Sequence, residues 1–480
     1  MYKFYYDESE HSRKLTLETV KDDGFYDGFV AVIVGWDESD EADIERRYER
    51  FGCMHSDRKS NGEIKSTTVK PRQLAHGFAS LGKANLSLIG DFLSLFDEKV
   101  RVYLCYESKT EYVAEQLFKD YGNTGGIDAD LMRYSIVKSI VQYQPKSIVN
   151  AMYDDPSSLV DRLREFYYER IRQGIENIQL KRKEVDQYGQ ILMLLEGARR
   201  VETLDWDYSE PFVGFLKYLT EVGISDYSLV IDREDKTEDA ARRLGIERSS
   251  GGDSKDYFGL RMADMLAGVV CKLMKALREE LRYHDEGEFV QRRLVGETWF
   301  QLDDRRLGLY KKLDDIAIRT NNAWYKVCAG SYSDDLVMLL ALLTLMRGLG
   351  SAAELRSVAR ECPERLNTIA CEMLGDHYRR VMDKSDNEIR VGSVPIISEA
   401  RAMLLPEGQK TANVLSVGYD SLGIPLILID EGEMAVCYRL PDDLREWAYT
   451  LAGIAGSDLN VLPSTVLFTT RRGKHYADIL

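Results

Sequence analysis

Apolar and β-branched residues in the first half of the chain fall into short blocks separated by polar turns. They are Tyr2–Tyr6 (YKFYY), Gly28–Trp36 (GFVAVIVGW), Val100–Tyr106 (VRVYLCY) and Tyr227–Asp232 (YSLVID). Blocks of this length and composition, bounded by turn residues, predict buried strands. Between the third and fourth blocks the pattern changes to helical spacing. Within residues 160–195, Leu163, Phe166, Tyr167, Ile171, Ile175 and Ile178 recur mostly at three- and four-residue intervals, the mark of amphipathic helices. A charged helix is expected over Lys236–Leu244, then a loop with Gly251 and Gly252. A strong helix follows over Asp256–Leu281, with Met262, Leu266, Val269, Val270, Leu273, Met274 and Leu277 on its apolar face. Residues 290–385 read as helical and Lys384–Pro395 as a polar linker. Strands return at Val414–Val417, Ile424–Ile429, Ala435–Tyr438 and Val466–Thr470, around a helix at Pro441–Gly453. The expectation is an α/β protein: a mixed-sheet domain over 1–288 with a long helical insertion near 110–220, a helical connector over 289–390, and a small α+β module over 391–480.

Composition narrows the function classes. In 480 residues, 64 Lys and Arg face 80 Asp and Glu, a net charge of −16, with 44% hydrophobic residues. Those proportions are globular, not fibrous or disordered, and they carry no global basic footprint. Seven cysteines are scattered without a C-x-x-C pair, which points to reduced thiols and a cytoplasmic location. The acidic start, MYKFYYDESE, does not resemble a signal peptide. The longest apolar run, Leu336–Met346, falls short of the roughly 20 residues that span a bilayer. It is expected as a buried helix, and no membrane partner is expected. Neither a G-x-x-x-x-G-K-[ST] loop nor a G-x-S-x-G elbow is present.

The chemistry concentrates in acids at element ends. Asp7 and Glu8 close the first strand block, Asp232 closes YSLVID, and Glu107 closes the third block. Asp264 lies in GLRMADMLAGVV with Leu260, Arg261, Ala267 and Gly268 as its helical neighbours. A carboxylate near an apolar face needs a partner, so Asp264 reads as a metal ligand, as an ion pair with Arg261, or as a helix-to-loop hydrogen bond. Glu63 lies in the polar segment NGEIKS. In extended backbone Lys65 would share its face and set a cation beside it. Glu8 and Asp253 are assigned supporting or turn roles. Basic clusters on the insertion (Arg162 to Arg172, Lys181–Lys183) are interleaved with Tyr167, Tyr168 and Tyr188, a combination suited to phosphate contact and base stacking.

A strand ending in DES (Asp7, Glu8, Ser9), a downstream E-x-K (Glu63, Ile64, Lys65), a strand ending in Asp232, and a late helix with G-L-x-x-A-D-x-x-A-G (Gly259, Leu260, Ala263, Asp264, Ala267, Gly268) together resemble the domain-of-unknown-function family 3800. The resemblance covers about residues 1–288. Here Glu10 follows the DES triplet where that family usually has Gly. The resemblance implies an RNase H-like mixed sheet and a metal-dependent nuclease site, with Asp7, Glu63, Asp232 and Asp264 as ligands of two Mg²⁺ or Mn²⁺ ions. Asp7 would bridge the ions and Lys65 would contact the scissile phosphate. It also implies a DNA or RNA substrate and an effector role in anti-phage defence. Four acids suit two-ion phosphodiester hydrolysis, which keeps waters and substrate oxygens in the ions' shells. The alternative is a non-catalytic RNase H-like scaffold that meets a protein partner through its C-terminal region.

Overall fold

The computed structural model describes residues 1–10, 26–117, 129–176, 178–196, 209–232, 235–246, 248–282, 293–382, 401–419, 425–431, 435–455, 462 and 464–480. Its strands are β1 (Tyr2–Ser9), β2 (Gly28–Asp37), β3 (Ala75–Phe78), β4 (Arg101–Ser108), β5 (Tyr227–Asp232), β6 (Ser249–Gly252), β7 (Val327–Ala329), β8 (Arg401–Ala402), β9 (Gly408–Tyr419), β10 (Pro425–Asp430), β11 (Ala435–Arg439), β12 (Ser464–Arg471) and β13 (Lys474–Ile479). Its helices in the first half are α1 (Glu41–Met54), α2 (Lys83–Leu93), α3 (Lys109–Leu117), α4 (Ala129–Tyr143), α5 (Lys146–Asp154), α6 (Leu159–Glu176), α7 (Ile178–Glu196) and α8 (Glu210–Glu221). They continue with α9 (Asp235–Arg243), α10 (Phe258–Leu281), α11 (Asp304–Asp314), α12 (Asp334–Gly348), α13 (Ala352–Val358), α14 (Cys362–Met382) and α15 (Arg445–Ala455).

The chain divides into two compact units, one of residues 1–112 and 205–374, the other of residues 113–204 and 375–480. The first holds a mixed sheet in the order β6-β5-β1-β2-β4-β7. β1, β2 and β4 form an antiparallel meander, while β1–β5, β5–β6 and β4–β7 are parallel. Alternation sorts the side chains of β1 to two faces. Phe4 and Tyr6, with Leu229 and Ile231 of β5, join a core that holds Phe212, Phe215 and Tyr218 of α8 and Ala240 and Ala241 of α9. Tyr5 points the other way, where its ring meets Trp36 and Phe258, and Gly259 gives α10 room to lie against it. Tyr48 of α1 packs on Phe258 under the same face.

The four expected strand blocks are β1, β2, β4 and β5, and the helix expected from Asp256 is α10. β6 fell in an expected loop. Its sequence is SSGG, and a side chain at Gly252 would overlap Val230 and Tyr257, so the strand needs the residue least suggestive of one. Residues 289–374, expected as a connector, belong to the first unit, where α11 packs on α2 and α12 packs on α10 and α11. The apolar run is indeed buried, on α12, behind Asp334 and Asp335 in the first turn. Among the described residues no single helix is long and apolar enough to cross a membrane.

In the second unit, α6 and α7 pack side by side, and the C-terminal strands form a sheet in the order β13-β12-β9-β10-β11-β8 with α15 on its core. The aromatic interleaving expected to stack bases is largely internal: Tyr167 and Tyr188 are buried, and only Tyr168 is exposed. Arg170 and Lys181 are both paired with Glu184. At these positions the interleaving of basic residues and tyrosines is a packing and ion-pairing pattern.

Candidate acidic site

β1 and β5 run parallel with Tyr6 opposite Ile231, so the next step of the register sets Asp7 beside Asp232. Neighbouring strands lie about 4.8 Å apart. By strand alternation both residues lie on the face that carries Tyr5, at the C-terminal ends of the two strands. Asp7 is half-buried, and one of its oxygens accepts the Glu8 N–H at 2.7 Å. Asp232 is exposed and pairs with Gly252 of β6. Glu8 lies on the opposite face, where the Tyr6 hydroxyl donates to it. Glu107 lies there too: it shares a face with Cys105, which belongs to the α8 core. Neither points toward Asp7.

Glu63 is placed by a turn. Asn61 and Gly62 both have positive φ (52° and 88°), and Ser60 and Glu63 exchange backbone hydrogen bonds of 2.7 and 3.1 Å. Left-handed backbone at two successive residues is the geometry that Asn-Gly supplies cheaply. The turn drives Ile64 into the core at 2% exposure and takes Glu63 down to 7%. Lys65 Nζ lies 3.5 Å from the Glu63 carboxylate, so the cation does stand beside the acid. The Ser254 hydroxyl stands 3.4 Å from both Glu63 oxygens. Ser254 is two residues beyond Gly252, the partner of Asp232, so the strand-edge carboxylates and Glu63 border one loop. In that loop Asp253 accepts the Lys255 N–H, a turn role.

Asp264 sits on α10 under the same segment. Its carboxylate accepts the Ser66 N–H at 2.8 Å. Lys272 donates to the Ser66 and Gly268 carbonyls, at 3.1 and 3.2 Å. Arg261 is not its partner: it donates to the carbonyls of Ser254 and Lys255 and to the Tyr48 hydroxyl. Of the readings open for Asp264, the helix-to-loop hydrogen bond is therefore present. Burial raises the Tyr48 pKa, Arg261 opposes the rise, and Glu63 and Asp264 both add to it, which sets the two acids in one electrostatic neighbourhood. Burial lowers the pKa of Lys272, while Cys271, Asp264 and Glu10 pull it up. Lys272 was not singled out in the sequence. Its signal is weak: a lysine two turns beyond Asp264 on an otherwise apolar helix face.

No family model, no curated protein and no solved structure matches the chain. The site stands on its own geometry. Asp7 and Asp232 close the neighbouring strands β1 and β5, Glu63 pairs with Lys65 beside Ser254, and Asp264 holds Ser66 where the segment after E-x-K crosses α10. Among the described residues no group of three or more His, Cys, Asp or Glu side chains is close enough to hold a metal ion. His11, four residues after Asp7 and for that spacing a candidate neighbour of the site, lies outside the described residues.

Beside the Glu63 pair opens a cleft of about 640 Å³, bordered by Lys59, Lys255 and Arg261 as well as Glu63. Close approach of the E-x-K segment to α10 depends on Gly268, where an added Cβ would overlap that of Ser66. Gly to Ala in a free helix gains up to about 1 kcal/mol, whereas overpacking costs about 1–3 kcal/mol. The overlap is with a side-chain base rather than a flexible tip, so overpacking should prevail. Gly268→Ala is expected to lower the Tm by a few degrees in scanning calorimetry; a rise would show that the segment is not seated on the helix.

Proposed function

We propose that this protein is a metal-dependent nuclease that hydrolyses phosphodiester bonds of DNA or RNA at the Asp7, Glu63, Asp232 and Asp264 site. The observation that carries the reading is Glu63. Its carboxylate is 7% exposed, yet among the described residues it is held only by contacts of 3.4–3.5 Å. A buried carboxylate so loosely partnered is costly, and a divalent cation shared with Asp264 would offset that cost. The donor set is all oxygen, which suits Mg²⁺ or Mn²⁺. A cation there would activate water and stabilise the leaving oxygen. The chain's own part would be to offer oxygen ligands from β1, β5, α10 and the residue after the Asn61–Gly62 turn, and to hold Lys65 where a phosphate would approach. The antiparallel meander continuing into parallel strands is in keeping with an RNase H-like sheet, and an effector role in anti-phage defence belongs to the same proposal.

A second reading has its own support. The Ser66–Asp264 hydrogen bond and the Glu63–Lys65 ion pair are also what a non-catalytic scaffold would use to fasten this segment. Labelled single- and double-stranded DNA and RNA, incubated with full-length protein and Mg²⁺, Mn²⁺ or EDTA, separate the two. Cleavage of at least one substrate that requires the metal is expected; no cleavage of any would favour the scaffold.

A further inference from the structure

On the face of the sheet opposite the acids, Cys105 of β4 and Cys328 of β7 are direct partners in the parallel register. Paired residues on neighbouring strands share a face and lie about 4.8 Å apart, inside the 4.4–6.8 Å Cα separation that disulfides adopt. Both side chains meet the same core: Cys105 is 2% exposed within it, and Cys328 packs against it from the partly open side. Contact between the two sulfurs lowers Cys328 to about 7, and the same contact with burial holds Cys105 well above its usual value, while the Cys105 thiol donates to the Glu107 carboxylate. Gly214 lets α8 lie close against Cys328, since a Cβ there would press on the Cys328 sulfur and the Tyr103 hydroxyl.

We propose that Cys105 and Cys328 form a redox-modification site, a cross-strand dithiol that a peroxide converts to a disulfide joining β4 to the edge strand β7. The less buried Cys328, as thiolate, attacks a peroxide oxygen, breaking the O–O bond and giving a sulfenic acid and a hydroxide, which takes up the proton released by the Cys328 thiol and leaves as water. The Cys105 sulfur then displaces the sulfenic hydroxyl, which leaves as a second water with the Cys105 proton. Two thiols and one hydrogen peroxide become one disulfide and two waters. β7 is only three residues long and bonds to β4 alone in the sheet, so the bond would lock the sheet's short edge.

The test is peptide mapping of the full-length native chain after hydrogen peroxide, with denaturing alkylation, alongside the Cys53→Ser/Cys371→Ser chain that lacks the two thiols exposed among the described residues. The expected result is a linked peptide pair carrying Cys105 and Cys328, two fewer alkylated thiols, a raised Tm, and full reversal by dithiothreitol. Cys328→Ser should abolish the Tm rise. Recovery of both cysteines alkylated, of Cys328 over-oxidised without a link, or of either joined to another cysteine would overturn the proposal.

Discussion

Asp264→Asn is expected to fold with an unchanged Tm in metal-free buffer yet lose Mn²⁺-dependent cleavage by roughly a thousandfold, the effect of several kcal/mol of missing transition-state stabilisation. The substitution separates the two roles of this residue. Asparagine keeps a side-chain oxygen to accept the Ser66 N–H at 2.8 Å, which with the Lys272 bond to the Ser66 carbonyl ties this segment to α10. It removes the negative charge that a divalent ion requires. Wild-type protein should also gain Tm on adding Mn²⁺, because a ligand bound only by the folded state stabilises it, and the variant should not. If Asp264→Asn cleaves as well as wild type, the carboxylate serves only as a hydrogen-bond acceptor.

Arg278→Met is expected to cost about 3–5 kcal/mol of stability, the range for breaking a buried ion pair from one side. Arg278 lies on α10 beyond Asp264, buried, with its guanidinium 3.1 Å from both Asp335 and the Tyr332 hydroxyl. Asp335 also accepts the Tyr26 hydroxyl at 2.9 Å. Burial already raises the Asp335 pKa, with Arg278 as the main opposing charge. Without the arginine that rise grows, and a carboxyl whose folded pKa exceeds its unfolded value gives stability that is present at low pH and lost as pH rises through the folded pKa. The deficit of Arg278→Met should therefore be smaller at about pH 5 than at about pH 8. Denaturant unfolding checks both points. The double variant Arg278→Met/Asp335→Leu should recover much of the loss, and no recovery would place the cost in packing.

The placement of several of these acids was legible because the residues obey local rules. Asp232 follows a run of β-forming residues and does close β5, and the apolar stripe of α10 fixes which side of Asp264 meets the segment above it. The burial of Glu63 was not read, although its cause is written in Asn61-Gly62, a turn signal that sinks the residue after it. Other features depend on chain segments far apart. The pairing of Cys105 with Cys328 joins residues 223 positions apart (328 − 105) through a strand of three residues, too short to show a period. The placement of residues 289–374 on the sheet domain is decided by packing on α2 and α10, and an amphipathic pattern does not name its partner. The tyrosines of α6 and α7 show the same ambiguity: helical spacing is common to core and exposed faces, and burial chose the core for Tyr167 and Tyr188.

The most direct test of the acidic site is cleavage of one labelled substrate in Mn²⁺ by wild type, Asp7→Ala and Asp264→Ala, all at equal concentration and with matched far-UV circular dichroism. The account predicts metal-dependent product from wild type and almost none from either variant, since the two residues stand on different elements and share only the site. Equal cleavage by all three proteins would contradict it.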